Sequence, residues 1–591
     1  MKLFSFFCVR GCNGILFVFS LKTKRYSEKP DPCGNAQIMR KIFISFLLFC
    51  FHASFSQQFE MLVEGNSDIE TKKIDSIGYL KKHINVASII EEQKLLEQKF
   101  QYKGYFQNEL LLQSKLNDSV FYFKYHLKNQ VKLLHIYIGA NSEEEKQLLN
   151  LENDSIKLAI EEVESFMQSK ISLLEKKGYS LAKLKLSDYN QVNDYLQAEL
   201  ILDLNQKRTL TNIVIEGYDK FPYGIKKAIL KKARRLDFNQ DNVSKIYKDF
   251  NELRFVTQTK YPEILFTKDS TKVYVYLEKA KPNKFDGFIG FANDENSNLR
   301  FNGYLDLQLQ NILNSGEKVN LFWKNDGKQQ SSFNLGTEIP YMFKSPFGIK
   351  ADLRIFKQDS TFQNTKTDLN LGYYFQYNSK VYLGYQKTTS VDIQNVNSFS
   401  INDFTNNFIT STFDFIDYNS DDFLFPEKTK FNIKLGTGNR TISSLKTNQF
   451  FGQLNFSHNL YLNEKNIINI KNETFYLQSD DYIINELYRF GGINSIRGFS
   501  ENSLQANAYS GILTEYRYMM APSIYIHSII DYGYFQDKTS NLSDRLLGLG
   551  FGFGLFTKNG LFNFIYANGS TNDQNIKLSN SIVHVSFKTY F

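Results

Sequence analysis

The chain has little of what usually braces a soluble domain: its 591 residues include one Trp (Trp323), nine Pro and four Cys. The cysteines, Cys8, Cys12, Cys33 and Cys50, all lie in the first fifty positions. Residues 39–56 have the order of a secretory signal: Arg40-Lys41, the apolar run Ile42 to Phe51, then Ser54-Phe55-Ser56 with small residues at −3 and −1. Cleavage is expected after Ser56. A chain starting at Gln57 has no cysteine, which excludes a disulfide framework and a thiolate metal site. Phe49, before Cys50, is too large for a lipoprotein cleavage site, so no lipid anchor is expected. Met1 to Ile38 read as an upstream extension from a misassigned start, making 1–56 extension plus signal.

An excess of one charge is also missing. The formal charge is +8, but residues 1–56 hold eight Lys/Arg and two Asp/Glu, so the remainder carries +2. A nucleic-acid partner, which needs a concentrated basic face, has no compositional support. After Ser56 there is no run of about 18 apolar residues, hence no candidate membrane-spanning helix. An exported chain without one is either soluble or a β-barrel. His83, His126, His135, His458 and His584 show no ligand spacing, so neither a metal nor a cofactor is expected.

What the chain does have is 54 Phe and 36 Tyr, residues that favour strands. From Gln57 to about Lys281 it is rich in Lys and Glu and alternates short strands with amphipathic helices. The clearest unit begins with the strand Asn212 to Glu216. A helix with Ile225, Ala228, Ile229 and Ala233 in register follows, then one with Val243, Ile246, Tyr247, Phe250 and Leu253 on one face. Two strands, Arg254 to Phe266 and Lys272 to Leu277, close it in the order β-α-α-β-β. The plan recurs upstream. Lys103-Gly104-Tyr105 and Lys177-Gly178-Tyr179 stand 74 positions apart, each where a helix ends on glycine. In the second unit the strand Leu133 to Ile138 and a helix face of Val163, Phe166, Met167 and Leu174 are expected. The units are placed at 58–130, 131–206 and 207–281.

At Phe285 the helices stop. Short alternating segments separated by Asn, Asp, Gly and Ser take over, among them Phe301 to Gln310, Lys318 to Trp323, Lys366 to Phe375, Lys430 to Gly438, Gln449 to Leu460 and Asn466 to Leu477. Residues 285–591 number 307, which at about 19 per strand and turn gives roughly 16 strands. The predicted fold class is therefore α+β modules followed by an all-β, 16-stranded antiparallel transmembrane barrel. An even count returns both ends of the barrel to the side of the modules.

Strand parity places the candidate site. In Leu547-Gly548-Leu549-Gly550-Phe551-Gly552-Phe553-Gly554-Leu555, large apolar residues alternate with glycine, leaving one face for lipid and one nearly flat. Gly548, Gly550, Gly552 and Gly554 are expected to make room for a loop folded into the lumen. A nucleotide-binding loop is a poor reading, since no helix follows. The loop is Phe490-Gly491-Gly492-Ile493-Asn494-Ser495-Ile496-Arg497-Gly498-Phe499, one cation on a glycine-rich turn between apolar neighbours. With Ile512, Tyr516 and Tyr518 toward lipid, the strand Tyr509 to Met519 turns Glu515 and Arg517 inward. With Ile524, Ile526 and Ile530 outward, the next strand turns Tyr525, His527 and Asp531 inward. Glu515 and Asp531 can both accept from Arg497. The last strand sets Val583, Val585, Phe587 and Phe591 on one side and His584, Ser586, Lys588 and Tyr590 on the other.

Ile496-Arg497-Gly498-Phe499 resembles the VRG-F/Y signature of the sixth extracellular loop in the BamA/TamA superfamily of outer-membrane barrel proteins. Glu515 and Asp531 fall where that family has the acidic partners of the loop arginine. Phe285 to Phe291, Asn311-Ile312-Leu313 and Gly316-Glu317 look like its first barrel strands, and Phe587 and Phe591 like its C-terminal assembly signal. The three modules resemble POTRA domains, and the layout is closer to TamA than to BamA.

This resemblance implies a bacterial outer-membrane location with the modules in the periplasm, and no enzymatic activity. The implied function is assembly or translocation: unfolded outer-membrane or secreted client proteins enter through the modules and are inserted or passed at the barrel seam. Membrane lipid, and a periplasmic or inner-membrane partner at the modules, are implied with it. The alternative is a two-partner secretion translocator dedicated to one secreted protein. That class carries two modules and a plug helix, and the third module speaks against it. A barrel lipase using Ser528 and His527 fails on parity, because consecutive strand residues face opposite ways.

Overall fold

A β-domain in a membrane cannot leave strand edges unpaired, so its sheet must close on itself. The structure, a computed structural model, shows such a closed sheet of sixteen strands preceded by three small α+β sheets. It describes residues 58–591 apart from 139–140, 193–194, 235, 294–298, 326–329, 395–399, 420–421, 578 and 580. For 288–293 and 299–302 the backbone alone is described, as it is for two short strands at Val9–Gly11 and Gly14–Leu16. The expected signal at 39–56 lies outside the described residues.

The first sheet orders its strands Lys82–His83, Phe59–Gly65, Val120–His126, Glu109–Lys115. The second repeats that order with Ser155–Ala159, Leu133–Tyr137, Tyr195–Asp203 and Lys183–Val192. In the third, Asn212–Glu216 and Val256–Gln258 flank Thr271–Lys279, which also pairs with Glu263–Phe266. In all three the first strand runs parallel to the last, as a helical crossover requires.

Three details depart from the expected β-α-α-β-β order. The first two sheets gain a short strand between their helices, Lys82–His83 and Ser155–Ala159, each on the outer edge of the first strand. In the third, the strand expected over Arg254 to Phe266 is broken at residues 259–262, which include Pro262, a residue that cannot donate to a ladder. Of the expected second-unit helix face only Leu174 is fully buried, with Val163, Phe166 and Met167 half-buried.

The chain forms two compact units. One holds the residues up to Ile138 with Asp154–Glu164 and Leu186–Glu199; the other holds Gly139–Asn153, Ser165–Lys185 and Leu200–Phe591.

The two glycine junctions are alike. After the helix Val86–Tyr102, Gly104 turns at φ 87° and Tyr105 N–H donates to Phe100 C=O at 2.9 Å. After Val163–Lys176, Gly178 turns at φ 92° and Tyr179 N–H donates to Leu174 C=O at 3.0 Å. Each glycine carbonyl then accepts from the start of the next module, Val131 N–H at 3.0 Å and Arg208 N–H at 2.9 Å.

The barrel strands are β1 (Lys284–Asn293), β2 (Leu299–Gln310), β3 (Lys318–Asn325), β4 (Gln330–Ile339), β5 (Phe347–Gln358) and β6 (Phe362–Gln376). Next come β7 (Ser379–Asp392), β8 (Phe404–Tyr418), β9 (Glu427–Ile442), β10 (Leu445–Tyr461) and β11 (Asn466–Gln478). The last are β12 (Ala508–Ala521), β13 (Ile524–Asp537), β14 (Leu542–Thr557), β15 (Gly560–Ser570) and β16 (Ile582–Tyr590). Along β12 the two faces are distinct: Tyr509, Leu513, Glu515 and Arg517 are 2–8% exposed, Ile512, Tyr516 and Tyr518 38–50%. An apolar outer face around a polar lumen is the arrangement of a transmembrane barrel.

The third module sits on the barrel turns, and its core runs on into Tyr341, Tyr374, Tyr377 and Tyr382. Asn311 Nδ2 donates to the Tyr218 hydroxyl at 3.0 Å, and that hydroxyl donates to Asn314 Oδ1 at 2.8 Å. A Cβ on Gly316 would stand 2.6 Å from Ile225 Cδ1. Asn311-Ile312-Leu313 and Gly316-Glu317 therefore form the β2–β3 turn that receives this module.

Alanine at either junction glycine meets the left-handed backbone penalty of about 1 kcal/mol. At Gly104 the new Cβ would also lie 2.0 Å from Val131 O, whereas at Gly178 its nearest neighbours are side chains at 3.1–3.4 Å. Gly104→Ala should therefore cost at least about 1 kcal/mol more than Gly178→Ala, read as faster limited proteolysis at the junction.

Candidate functional site

Between β11 and β12 the chain leaves the wall as a short antiparallel hairpin, Tyr488–Phe490 with Leu504–Ala506, and returns into the lumen. Its tip turns through Gly491, Gly492 and Gly498, at φ 103°, 100° and 88°. The apolar residues beside the arginine bury against the wall. Ile496 is fully buried in a cluster with Phe490, Tyr509, Leu513, Phe535 and Leu546, and Phe499 packs on it half-buried. Phe490 stacks on Tyr509 with ring centroids 4.0 Å apart.

Arg497 is 3% exposed. Its Nε donates to Asp531 Oδ2 at 2.8 Å and its Nη2 to Asp531 Oδ1 at 2.5 Å, a bidentate fork. Its backbone N–H reaches the same Oδ2 at 3.0 Å, and its Nη1 donates to Glu515. The geometry follows from register: Asp531 faces Leu513 across the β12–β13 ladder, one pleat from Glu515 on the same face. The other oxygen of Glu515 is held by Arg517, from Nε at 2.7 Å and Nη2 at 2.6 Å. Arg517 also donates to Asn459 Oδ1 at 3.0 Å and lies 4.1 Å from the Phe425 ring centroid. Two cations thus face two anions in a shielded site, the condition under which buried charges hold together.

The structure brings Ile496, Arg497, Gly498, Phe499, Glu515 and Asp531 together. The glycine ladder needs correction. A Cβ on Gly548 would stand 2.3 Å from Arg497 O, so that glycine does admit the loop. Gly550 lies against Tyr566 O and Ala567 of the neighbouring strand, Gly552 against His527, and Gly554 against Tyr525. The last two make room for large inward side chains on β13, not for the loop. The second docking glycine is Gly569 on β15: a Cβ there would stand 2.6 Å from Gly498 O, and one on Gly498 2.4 Å from Gly569 N. Phe587 and Phe591, on β16 and just after it, are 42% and 48% exposed and take no part in this cluster.

Sequence reasoning missed a second anchor of opposite polarity. Arg440 on β9 is 1% exposed and binds Asp481 and Glu486 of the loop, while Gln449 Nε2 donates to Glu486 at 2.9 Å. It also missed Glu473 on β11, which accepts from Ser495 Oγ at 2.6 Å and from the Tyr488 hydroxyl. Parity on β9 could have turned Arg440 inward, beside Gly438 and Gly436, but nothing local pairs it with residues over 40 positions away.

Solved barrels match this chain. BamA from Haemophilus ducreyi lacking POTRA domains 1-3 matches over 77% of this chain and 99% of its own, at 15% identity and a TM-score of 0.46. CdiB from Acinetobacter baumannii and CdiB from Escherichia coli match over 85% of this chain and 98% of theirs, at 12% and 13% identity and TM-scores of 0.49. No family model matches the chain, and no curated protein matches it in sequence. The roles of the loop and wall residues rest on the contacts above.

Truncating one member of a buried charge pair leaves the other uncompensated, at about 3–5 kcal/mol. Arg497→Ala should lower the temperature at which the folded, fast-migrating band converts to the unfolded one on gels. Arg497→Ala combined with Asp531→Ala should cost less than the sum of the two. Gly548→Val should mimic the loss of Arg497 by blocking the loop carbonyl.

Proposed function

We propose that this protein is an outer-membrane assembly or translocation factor. The modules at 58–130, 131–206 and 207–281 receive unfolded client chains in the periplasm, and the barrel at 285–591 inserts or passes them where β1 meets β16.

One observation carries the reading. The closing strands share two residue pairs, Lys284 with Tyr590 and Phe285 with Thr589, although β1 has ten residues and β16 nine. Neighbouring strands elsewhere in the barrel share seven or more, the fewest being β15 with β16. Most of the β1 and β16 edges therefore keep backbone donors and acceptors on which an incoming strand can pair. Phe587 and Phe591, apolar and outward-facing at the end of β16, would mark the edge that a client strand replaces.

A second edge serves reception. In the first sheet Glu109–Lys115 is an outer strand, and Leu111, Leu112 and Leu116 on it or beside it are 45–60% exposed. Main-chain pairing plus apolar contact would hold an extended client without reading its sequence. No chemistry is assigned: Glu515 and Asp531 are committed to arginines, and His527 is buried while Ser528 lies on the opposite face.

Because the chain after residue 56 has no cysteine, the seam can be locked cleanly. Phe285→Cys with Thr589→Cys joins residues directly opposite in an antiparallel pair, within disulfide reach. Oxidation should stop client insertion and reduction restore it; unchanged client levels in the oxidised state would sink the proposal. Depleting the protein separates the two forms of the reading. Loss of many outer-membrane barrels marks a general insertase, and loss of one secreted protein marks a dedicated translocator.

A further inference from the structure

Where the loop faces β3 to β8, β10 and β11, it leaves a lumen cavity of about 420 Å³, within the size range of small-molecule sites. Its wall includes Arg354 on β5, Lys366 on β6 and Arg489 on the loop hairpin. Among the described residues none of the three has a carboxylate within ion-pair distance. The acidic residues of the lining are already engaged, Glu486 by Arg440 and Glu501 by Lys324. Two of the cations rest on rings instead: Lys366 is 5.8 Å from the Phe451 centroid, and Arg489 5.8 Å and 5.4 Å from Phe356 and Phe362.

The cavity also holds orphaned acceptors. Gln386 Oε1 and Asn406 Oδ1 have no hydrogen-bond partner, although their residues are only 3% and 7% exposed. Asn364 donates Nδ2 to Asn485 C=O of the loop at 2.7 Å, which fixes its amide and leaves Oδ1 unpartnered too. Buried acceptors are costly to leave unmatched, and all three belong to residues that line this one cavity, so a ligand that donates several hydrogen bonds would satisfy them once their side chains turn toward it. Phe451, Phe475 and Tyr488 add a stacked aromatic wall, with centroids 6.4 Å and 4.6 Å apart.

We propose that this cavity binds a phosphorylated saccharide. A phosphomonoester, with charge of about −1.5 to −2 and three acceptor oxygens, matches three cations that have no direct ion pair better than a carboxylate does. Sugar hydroxyls supply the donors that Asn364, Gln386 and Asn406 lack, and the C–H face of the ring packs on the aromatic wall. Asn364 and Phe404 stand at the loop ends of β6 and β8, so the cavity lies toward the end of the barrel away from the third module. Because Arg489 and Asn485 belong to the loop, the bound ligand ties the loop to the wall.

The test is calorimetric titration of the full-length protein in detergent with glucosamine 1-phosphate, glucosamine and inorganic phosphate. Saturable binding of the sugar phosphate, at least about tenfold tighter than either fragment, is expected. Lys366→Gln, Arg489→Gln and Asn406→Leu should each weaken it about tenfold or more while leaving the folded band on gels intact. The proposal is overturned if the folded protein shows no saturable binding, if inorganic phosphate binds as well as the sugar phosphate, or if all three variants bind like the parent. Repeating the titration in vesicles with a phosphorylated glycolipid distinguishes sources, both compatible with the site: competition points to a lipid headgroup, undiminished binding to a free sugar phosphate.

Discussion

Two guanidinium groups and two carboxylates, shut inside the barrel, fix the relation of the loop to the wall. Desolvating any one alone would cost several kcal/mol, so Arg497 is stable there only because Asp531 takes it bidentately and Glu515 shares it with Arg517. That balance dictates the surroundings. The backbone carrying Arg497 must approach the sheet closely, hence glycine at 548 and 569, and the apolar neighbours Ile496 and Phe499 seal the approach against water.

The brace and the seam are complementary. Through Glu515, Asp531, Gly548 and Gly569 the loop touches each of β12, β13, β14 and β15, the four strands that precede β16. The wall beside the weakest junction is thus stiffened from within, while β16 keeps only two residue pairs to β1. Arg440 ties the far side of the same loop to β9 with the polarity reversed, cation on the wall and anions on the loop. The loop therefore spans the lumen between two anchors that cannot exchange partners.

Much of this was legible from residue order because a strand's side chains alternate strictly. Parity alone put Glu515 and Asp531 on one face, and the length of 285–591, at about 19 residues per strand and turn, led to sixteen strands. Parity is silent about depth and distance. It turned all four ladder glycines inward, yet only the cross-strand register shows that Gly552 and Gly554 face His527 and Tyr525 while Gly548 faces the loop. Arg440 with Asp481 and Glu486 stayed hidden because the pairing depends on where a long loop returns. The two-pair seam was hidden as well, since closure register belongs to the whole circumference. In the modules, the short strands Lys82–His83 and Ser155–Ala159 are too brief for any periodicity to register.

Among the described residues the barrel strands are unequal in length. Of these, β8, β9 and β10, opposite the closure, have 15, 16 and 17 residues, while β15 and β16, which lead into it, have eleven and nine. At about 3.4 Å per residue, the tallest flank measures roughly 55 Å along the strand and the shortest roughly 30 Å. A shorter flank would present lipid tails with a shallower apolar band, which they match by compressing or tilting. The side where the cylinder is least firmly shut is thus also its short side, where a bilayer thinned to match the strands would add its own strain to that junction.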